Sequence, residues 1–407
     1  MVRRCFVAVW SKLRTKSVSI NEKKKSSVLK RGRSDGENVE MAYVLMIGIT
    51  YCFSMLYDHS RKNSHGHRSL ELKHKQCDII LKVMICLPAI ITGAIRYNIG
   101  VDYLPTYWAS YIAVLNGRTR VTGSSVSIEI GWVWLNQFLQ IFSESPIIFF
   151  VFTSVVIYGL LFKYIYRTEN KIALPILFFF LSGLYFSSYN IVRQFLALSI
   201  VMNGSKWLYG KKFIPYLCVC VLASFVHLSA IILLPMFFLS RWKLSRKGFF
   251  IALLCAMAGG PLIAYVMNVL LRNTRYVYYL TSILYKIDAD ISGLVFGTII
   301  TIMVLFLYDR LKSQERFQLF FAYLLCYDVL LILSFFFPLA NRISIYFKVP
   351  VFVNLLPEAI QAISRRNRGL VKAGIVVFMI LACYYLYVVR ELSGVFPYQT
   401  LFSSYFT

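Results

Sequence analysis

Three arginines, Arg96, Arg193 and Arg342, interrupt or border long apolar stretches instead of lying in basic loops. A guanidinium at membrane depth needs an anionic partner or a functional reason. Arginine suits phosphate oxygens, because its planar fork binds them bidentately and never loses its charge. On the segment map given below all three fall at the outer leaflet, where a lipid pyrophosphate is their natural partner. The structural alternative is interfacial snorkelling or pairing with a carboxylate. Arg193 carries the most information. In Tyr189-Asn190-Ile191-Val192-Arg193-Gln194 the spacing puts Asn190, Arg193 and Gln194 at i, i+3 and i+4 on one face of an otherwise apolar helix, and such a stripe faces protein or a cavity.

Acidic residues are sparse on that side. Asp102, in Arg96-Tyr97-Asn98-Ile99-Gly100-Val101-Asp102-Tyr103, and Glu129, in Glu129-Ile130-Gly131-Trp132, are the candidates for a base that deprotonates an acceptor hydroxyl. The bland alternatives pair Asp102 with Arg96 and make Glu129 a helix cap. His227 stands apart from the other histidines, and its imidazole suits either a base or, when charged, a phosphate ligand; the alternative is a hydrogen-bonded structural histidine. His59, His65, His67 and His74 share one basic polar loop with irregular spacing, which reads as solvated loop and not as a metal site. Aromatic residues such as Tyr97, Tyr103, Tyr107, Trp108, Trp132 and Trp134 serve sugar stacking and interfacial anchoring equally well.

The elements that must carry these groups follow from composition. With 58% hydrophobic and 16% aromatic residues over 407 positions and a mean hydropathy of +0.64, the chain cannot bury its apolar surface as a soluble globule. A net charge of +26 raises nucleic acid as a partner, but Lys and Arg fall in short clusters between apolar runs, as cytoplasmic loops do under the positive-inside rule. Nucleic acid is therefore excluded. Seven of the nine cysteines lie inside apolar spans and read as small packing residues, with neither disulfide nor metal spacing.

The expected fold class is all-α, a polytopic membrane protein with about twelve transmembrane helices, some short or re-entrant. Spans are placed at 41–57, 77–95, 146–166, 172–188, 190–205, 213–226, 228–240, 248–271, 291–308, 317–337, 343–360 and 370–389. Basic clusters at 58–76, 163–171, 206–212, 241–247, 310–316 and 365–368 then lie inside. The apolar stretch 213–239 joins two basic clusters, so it reads as a hairpin of two short helices with its apex at Phe225-Val226-His227 on the outer side. Arms that short are acceptable where the apex lines a polar cavity. Residues 96–145 form the largest outside loop, with an interfacial amphipathic helix within 127–142; 272–290 is the other outside piece. Residues 1–40, with eleven Lys/Arg, lack a signal-peptide core; they are either a basic cytoplasmic arm or lie upstream of a true start at Met41, leaving 41–407 as a single domain. No Walker, Rossmann or zincin pattern occurs.

These motifs together resemble the EpsG family, which groups with Wzy-type exopolysaccharide and O-antigen polymerases. The resemblance covers nearly all of 41–407. It rests on the Arg96 to Tyr103 and Glu129 to Trp132 motifs, on Asn190-Ile191-Val192-Arg193-Gln194-Phe195-Leu196-Ala197, on Ala223-Ser224-Phe225-Val226-His227-Leu228-Ser229-Ala230, on Arg342 and on Pro397-Tyr398. Val101 departs from the family pattern, which usually has threonine there, and residues 1–40 have no family counterpart, which favours a start at Met41. The resemblance implies a multi-pass enzyme of the bacterial inner membrane that joins undecaprenyl-pyrophosphate-linked oligosaccharide repeats on the outer side. Its implied partners are that lipid-linked donor, membrane lipid, and the flippase and chain-length regulator of the same pathway. The leaving pyrophosphate is expected to be held by Arg193, Arg96 and Arg342, with Gln194, Asn190 and Tyr103 at the substrate. His227, Glu129 or Asp102 would assist the attacking hydroxyl. No cofactor is expected, because arginine stabilises a departing pyrophosphate without a metal. A flippase for lipid-linked oligosaccharide and a membrane O-acetyltransferase are the alternatives from other classes.

Overall fold

A computed structural model describes residues 36–63, 71–118, 129–272 and 291–401. The first 35 residues, His65, His67 and nearly all of the 272–290 piece lie outside the described residues, as do residues 119–128 of the 96–145 loop. The named elements are all helical. In chain order they are α1 Gly36–Asn63, α2 Glu71–Ala94, a π-helical turn Tyr103–Trp108 leading into α3 Ala109–Leu115, α4 Ile130–Gln140, α5 Ile147–Thr168, α6 Ala173–Leu181, α7 Leu184–Ser187, α8 Val192–Tyr209 and α9 Phe213–Val226. There follow a 3-10 turn Leu228–Leu233, α10 Met236–Leu239, α11 Arg246–Leu271, α12 Ile291–Phe306, α13 Tyr308–Leu311, α14 Phe317–Ser334, α15 Leu339–Pro350 with a π turn Val351–Leu355, α16 Leu356–Ala362 and α17 Arg365–Tyr384.

Among the described residues seven helices are long and apolar enough to cross a membrane: Met41–Lys62, Gln76–Ala94, Ile147–Thr168, Arg246–Leu271, Phe317–Ser334, Leu339–Ala362 and Arg365–Val389. Each of the remaining sequence-predicted spans coincides with an element that falls short of that length or that apolarity. The fourth is broken into α6 and α7, the fifth is α8, and 291–308 is α12. The 213–239 stretch is a hairpin, with α9 ending at Val226 and His227 in extended backbone (φ −152°, ψ 112°) before the 3-10 turn. Tyr216 on the first arm donates to the Leu233 carbonyl on the second (2.8 Å).

Apolar burial does not drive helices together in lipid, so the packing has to come from close fit and interhelical hydrogen bonds. Buried tyrosines supply both. Tyr185 donates to the Ala89 carbonyl (2.9 Å), Tyr158 shares a bond with Ser188 (2.7 Å), and Tyr164 donates to Asn354 (2.6 Å). Each ring fills core volume while its hydroxyl satisfies a polar group that hydrocarbon would strand.

The two ends of the bundle differ in charge. At one, Arg316 donates to the carbonyl of Thr168 and Arg310 to that of Ala362, the last residues of α5 and α16, where cations complement unsatisfied helix carbonyls. Asp58 accepts the N–H groups of Ile172 and Ala173 at the start of α6 there. The clusters at 163–171, 241–247 and 310–316 gather at this basic end. The opposite end holds the C-terminus of α2, the N-termini of α5, α8 and α15 and the apex of the α9 hairpin, and a returning C-terminal segment closes on the end of α2 and the residues before α8: Leu401 N–H bonds the Ile95 carbonyl, Tyr97 N–H that of Gln399, and the Asn190 amide that of Ser393.

Candidate active site

Glu129 is the centre of that second end. It precedes α4 with extended backbone (φ −61°, ψ 143°), and its side chain makes no capping bond to the helix. The carboxylate turns away instead: Oε2 accepts from Nη1 of Arg193 at 2.5 Å, and Oε1 meets Nδ1 of His227 at 3.2 Å. The side chains of Glu129, Arg193 and His227 keep 10%, 19% and 21% of their exposure, enough to meet a ligand without opening the core. The helix-capping alternative for Glu129 is thus not what the side chain does.

Local sequence brings the three together. Gly131 packs against the end of α9, and a Cβ there would lie 2.7 Å from the Phe225 carbonyl carbon and 3.0 Å from its Cβ. Only glycine lets the start of α4 come this near the turn that carries His227. Trp134 stacks on Phe225 beside it (6.5 Å between centroids). Trp132 is buried edge-on against Phe149 (5.0 Å), with Arg193 Cζ 5.8 Å from its ring. Arg193 is the second residue of α8, where the helix dipole disfavours a cation, and the Glu129 carboxylate answers that penalty.

Burial works to raise the Glu129 carboxyl, but the hydrogen bond from His227 and the charge of Arg193 outweigh it and hold the group at about 2. Glu129 is therefore a carboxylate at neutral pH. An ionised oxygen only accepts, so Nδ1 of His227 is the donor and proton exchange with a ligand is left to Nε2.

Asp102 sits nearby, its Oδ1 accepting from the Thr106 hydroxyl at 3.2 Å. Burial raises its pKa, with Arg342, Thr106 and Arg193 acting in the opposite direction. Its electrostatic partners are thus Arg342 and Arg193, and a pairing with Arg96 is not found. Gln194 donates to the Arg342 carbonyl (2.7 Å), tying α8 to α15, and Ser229 beside the hairpin apex bonds Tyr346 on α15 (2.9 Å).

Three expectations need correction. Asn190 shares no helical face with Arg193 and Gln194, because α8 begins only at Val192 and Ile191 is non-helical (φ −113°, ψ 50°). Its amide instead satisfies two loops, donating to the Ser393 carbonyl (2.8 Å) and accepting from the Asp102 N–H (3.5 Å). Tyr103, expected at substrate, is fully buried with its ring stacked on Phe150 (4.0 Å). Arg96 is 2% exposed with Cζ 4.0 Å from the centre of the Tyr189 ring; cation–π contact substitutes for an anion there. Both residues lie inside the aromatic core.

Sequence reading passed over Tyr107 as an ordering residue. Its hydroxyl accepts from Val192 N–H (2.8 Å) and donates to the Asn190 carbonyl (2.6 Å), fixing the turn that presents Arg193. Tyr346 was also passed over, and its signal is the i, i+4 spacing from Arg342. Among the described residues no three His, Cys, Asp or Glu converge as a metal-ligand set.

A family model described as the EpsG family matches residues 79–400, which includes Asp102, Glu129, Arg193, His227 and Arg342. The chain belongs to the EpsG family. EpsG is a Wzy-type polymerase family, and membership supports a function of the polysaccharide-polymerase, glycosyltransferase-like type in a multi-pass membrane protein. No curated protein and no solved structure matches the chain.

Proposed function

We propose that this EpsG-family chain extends a polysaccharide by transferring a growing glycan from undecaprenyl pyrophosphate to a hydroxyl of the next lipid-linked repeat, on the outer face of the bacterial inner membrane. The observation that carries the reading is one ionised carboxylate, Glu129, contacting both Arg193 and His227 at the end of the bundle away from the basic clusters. Nε2 of His227 takes the proton of the acceptor hydroxyl as its oxygen forms the new bond to the anomeric carbon. The bond from that carbon to the pyrophosphate oxygen breaks, and its electron pair leaves with the pyrophosphate. Glu129 holds the imidazole in orientation and stabilises the imidazolium that results, which is the role of a carboxylate behind a histidine base. Arg193 and Arg342 offset charge on the departing pyrophosphate. The pathway's flippase and chain-length regulator are its expected partners.

The test is the size profile of surface glycan and lipid-linked intermediates in a deletion strain. Complementation with wild type restores long chains, whereas Arg193→Ala and His227→Ala leave single repeats on the outer face. Repeats that never reach the outer face would make the protein a flippase instead.

A further inference from the structure

In the resting site Arg193 is in contact with the Glu129 carboxylate. A donor that binds here therefore has to compete with a carboxylate already in place. We propose that Arg193 changes partner during the reaction: Glu129 holds it in the resting protein, and the pyrophosphate of the donor takes it over. The inference rests on the proposed function and names what the donor does to the site.

Four observations carry it. Arg193 and Glu129 are in contact at 2.5 Å, yet both side chains keep some exposure, 19% and 10%, so the exchange needs only side-chain motion. Arg96, at 2% exposure among aromatic rings, has no comparable freedom. Arg193 stands in the first turn of α8, where the positive end of the helix favours an incoming anion over a bound cation. A pyrophosphate offers the guanidinium fork more charge and more oxygens than one carboxylate oxygen does. Finally, Glu129 contacts His227 through its second oxygen, so a carboxylate no longer shared with Arg193 acts more strongly on the imidazole. Donor capture and support for the base are then coupled: the carboxylate that stabilises the imidazolium is released from Arg193 when a leaving group is in place.

A carboxylate that competes with the ligand has an unusual signature on removal. In detergent-solubilised full-length protein, Glu129→Gln is expected to bind a short polyprenyl diphosphate such as farnesyl diphosphate about tenfold more tightly than wild type, about 1.4 kcal/mol, while losing glycan transfer. Arg193→Gln binds at least tenfold more weakly, and the double variant binds no more tightly than Arg193→Gln, because the gain runs through Arg193. A Glu129 that merely held the fold together would weaken binding and transfer together. Equal or weaker binding by folded Glu129→Gln overturns the exchange, as does a double variant that keeps the gain. Glu129→Asp, shorter by one methylene and still charged, provides a second measurement with an expected affinity between wild type and Glu129→Gln; no gain there overturns the exchange if Glu129→Gln fails to fold. If the wild type and Glu129→Gln both fail to bind the diphosphate, the donor assignment itself is wrong, which is a separate result from binding without tightening.

Discussion

Gly131→Ala reaches the site without touching any group that carries charge. The added Cβ would stand 2.7 Å from the Phe225 carbonyl carbon, and ordinary contact begins near 3.4 Å. The obstacle is backbone, with the Phe225 carbonyl oxygen nearer still, so the start of α4 and the end of α9 must separate by at least about 0.7 Å, the difference between those two distances. Glu129 lies two residues before Gly131, and His227 two residues after Phe225. The same retreat stretches their 3.2 Å contact to about 3.9 Å or more, past the length at which a hydrogen bond survives. Misplacement on the scale of 1 Å costs about a hundredfold in rate, while overpacking of this kind costs about 1–3 kcal/mol in stability. Gly131→Ala is thus expected to fold with a lowered unfolding temperature and to lose turnover by one to two orders of magnitude. Chain elongation on a lipid-linked repeat, measured beside thermal unfolding, separates the two effects. Gly369→Ala is the control, since nothing lies within 4 Å of its added Cβ. Full turnover by folded Gly131→Ala would refute the claim that the Glu129–His227 contact orients the base.

Other consequences are independent of that one. Because Glu129 is held at about 2 against an ordinary value of 4.5, the stability it contributes is present above pH 4.5 and is lost as pH falls toward 2. The difference in unfolding temperature between wild type and Glu129→Gln should therefore shrink across that window and be constant above it. Tyr107→Phe strands the Val192 N–H and the Asn190 carbonyl and should cost about 1–3 kcal/mol. Tyr103→Phe should be nearly neutral, since the Tyr103 hydroxyl has no hydrogen-bond partner among the described residues; thermal unfolding of the pair decides. Arg193→Lys keeps the charge but not the fork, and elongation should fall at least tenfold with the fold intact.

The spans were legible because hydrocarbon imposes length and apolarity on every crossing, and basic clusters mark one end. That is why the 213–239 stretch resolves into a hairpin with His227 at its apex: two clusters flanking one stretch cannot both be inside with a single crossing. The types of the site residues were legible as well, since Glu129, Arg193 and His227 are each out of place in an apolar segment. Their convergence was not. Glu129 stands 64 residues from Arg193 and 98 from His227, and no periodicity spans such distances. Asn190 misleads because the start of α8 depends on Tyr107 capturing the Val192 N–H, a contact across 85 residues. Tyr103 and Tyr107 look alike in sequence. One stacks on Phe150 with an unpartnered hydroxyl and the other joins two backbone groups, a difference set by neighbours from α5 and α8. Arg96 reads as an anion ligand by its type, yet rings from α5 and the turn before α8 enclose it.

The most direct measurement is elongation by purified protein supplied with undecaprenyl-pyrophosphate-linked repeats in detergent, following glycan length and released undecaprenyl pyrophosphate together. The expected result is a ladder of chains with one pyrophosphate lipid released per bond formed, present in wild type and lost in His227→Gln and Glu129→Gln. A ladder that survives folded His227→Gln, or wild-type protein that moves lipid-linked repeats across vesicles without lengthening them, would contradict the assignment of Glu129, Arg193 and His227 as a polymerisation site.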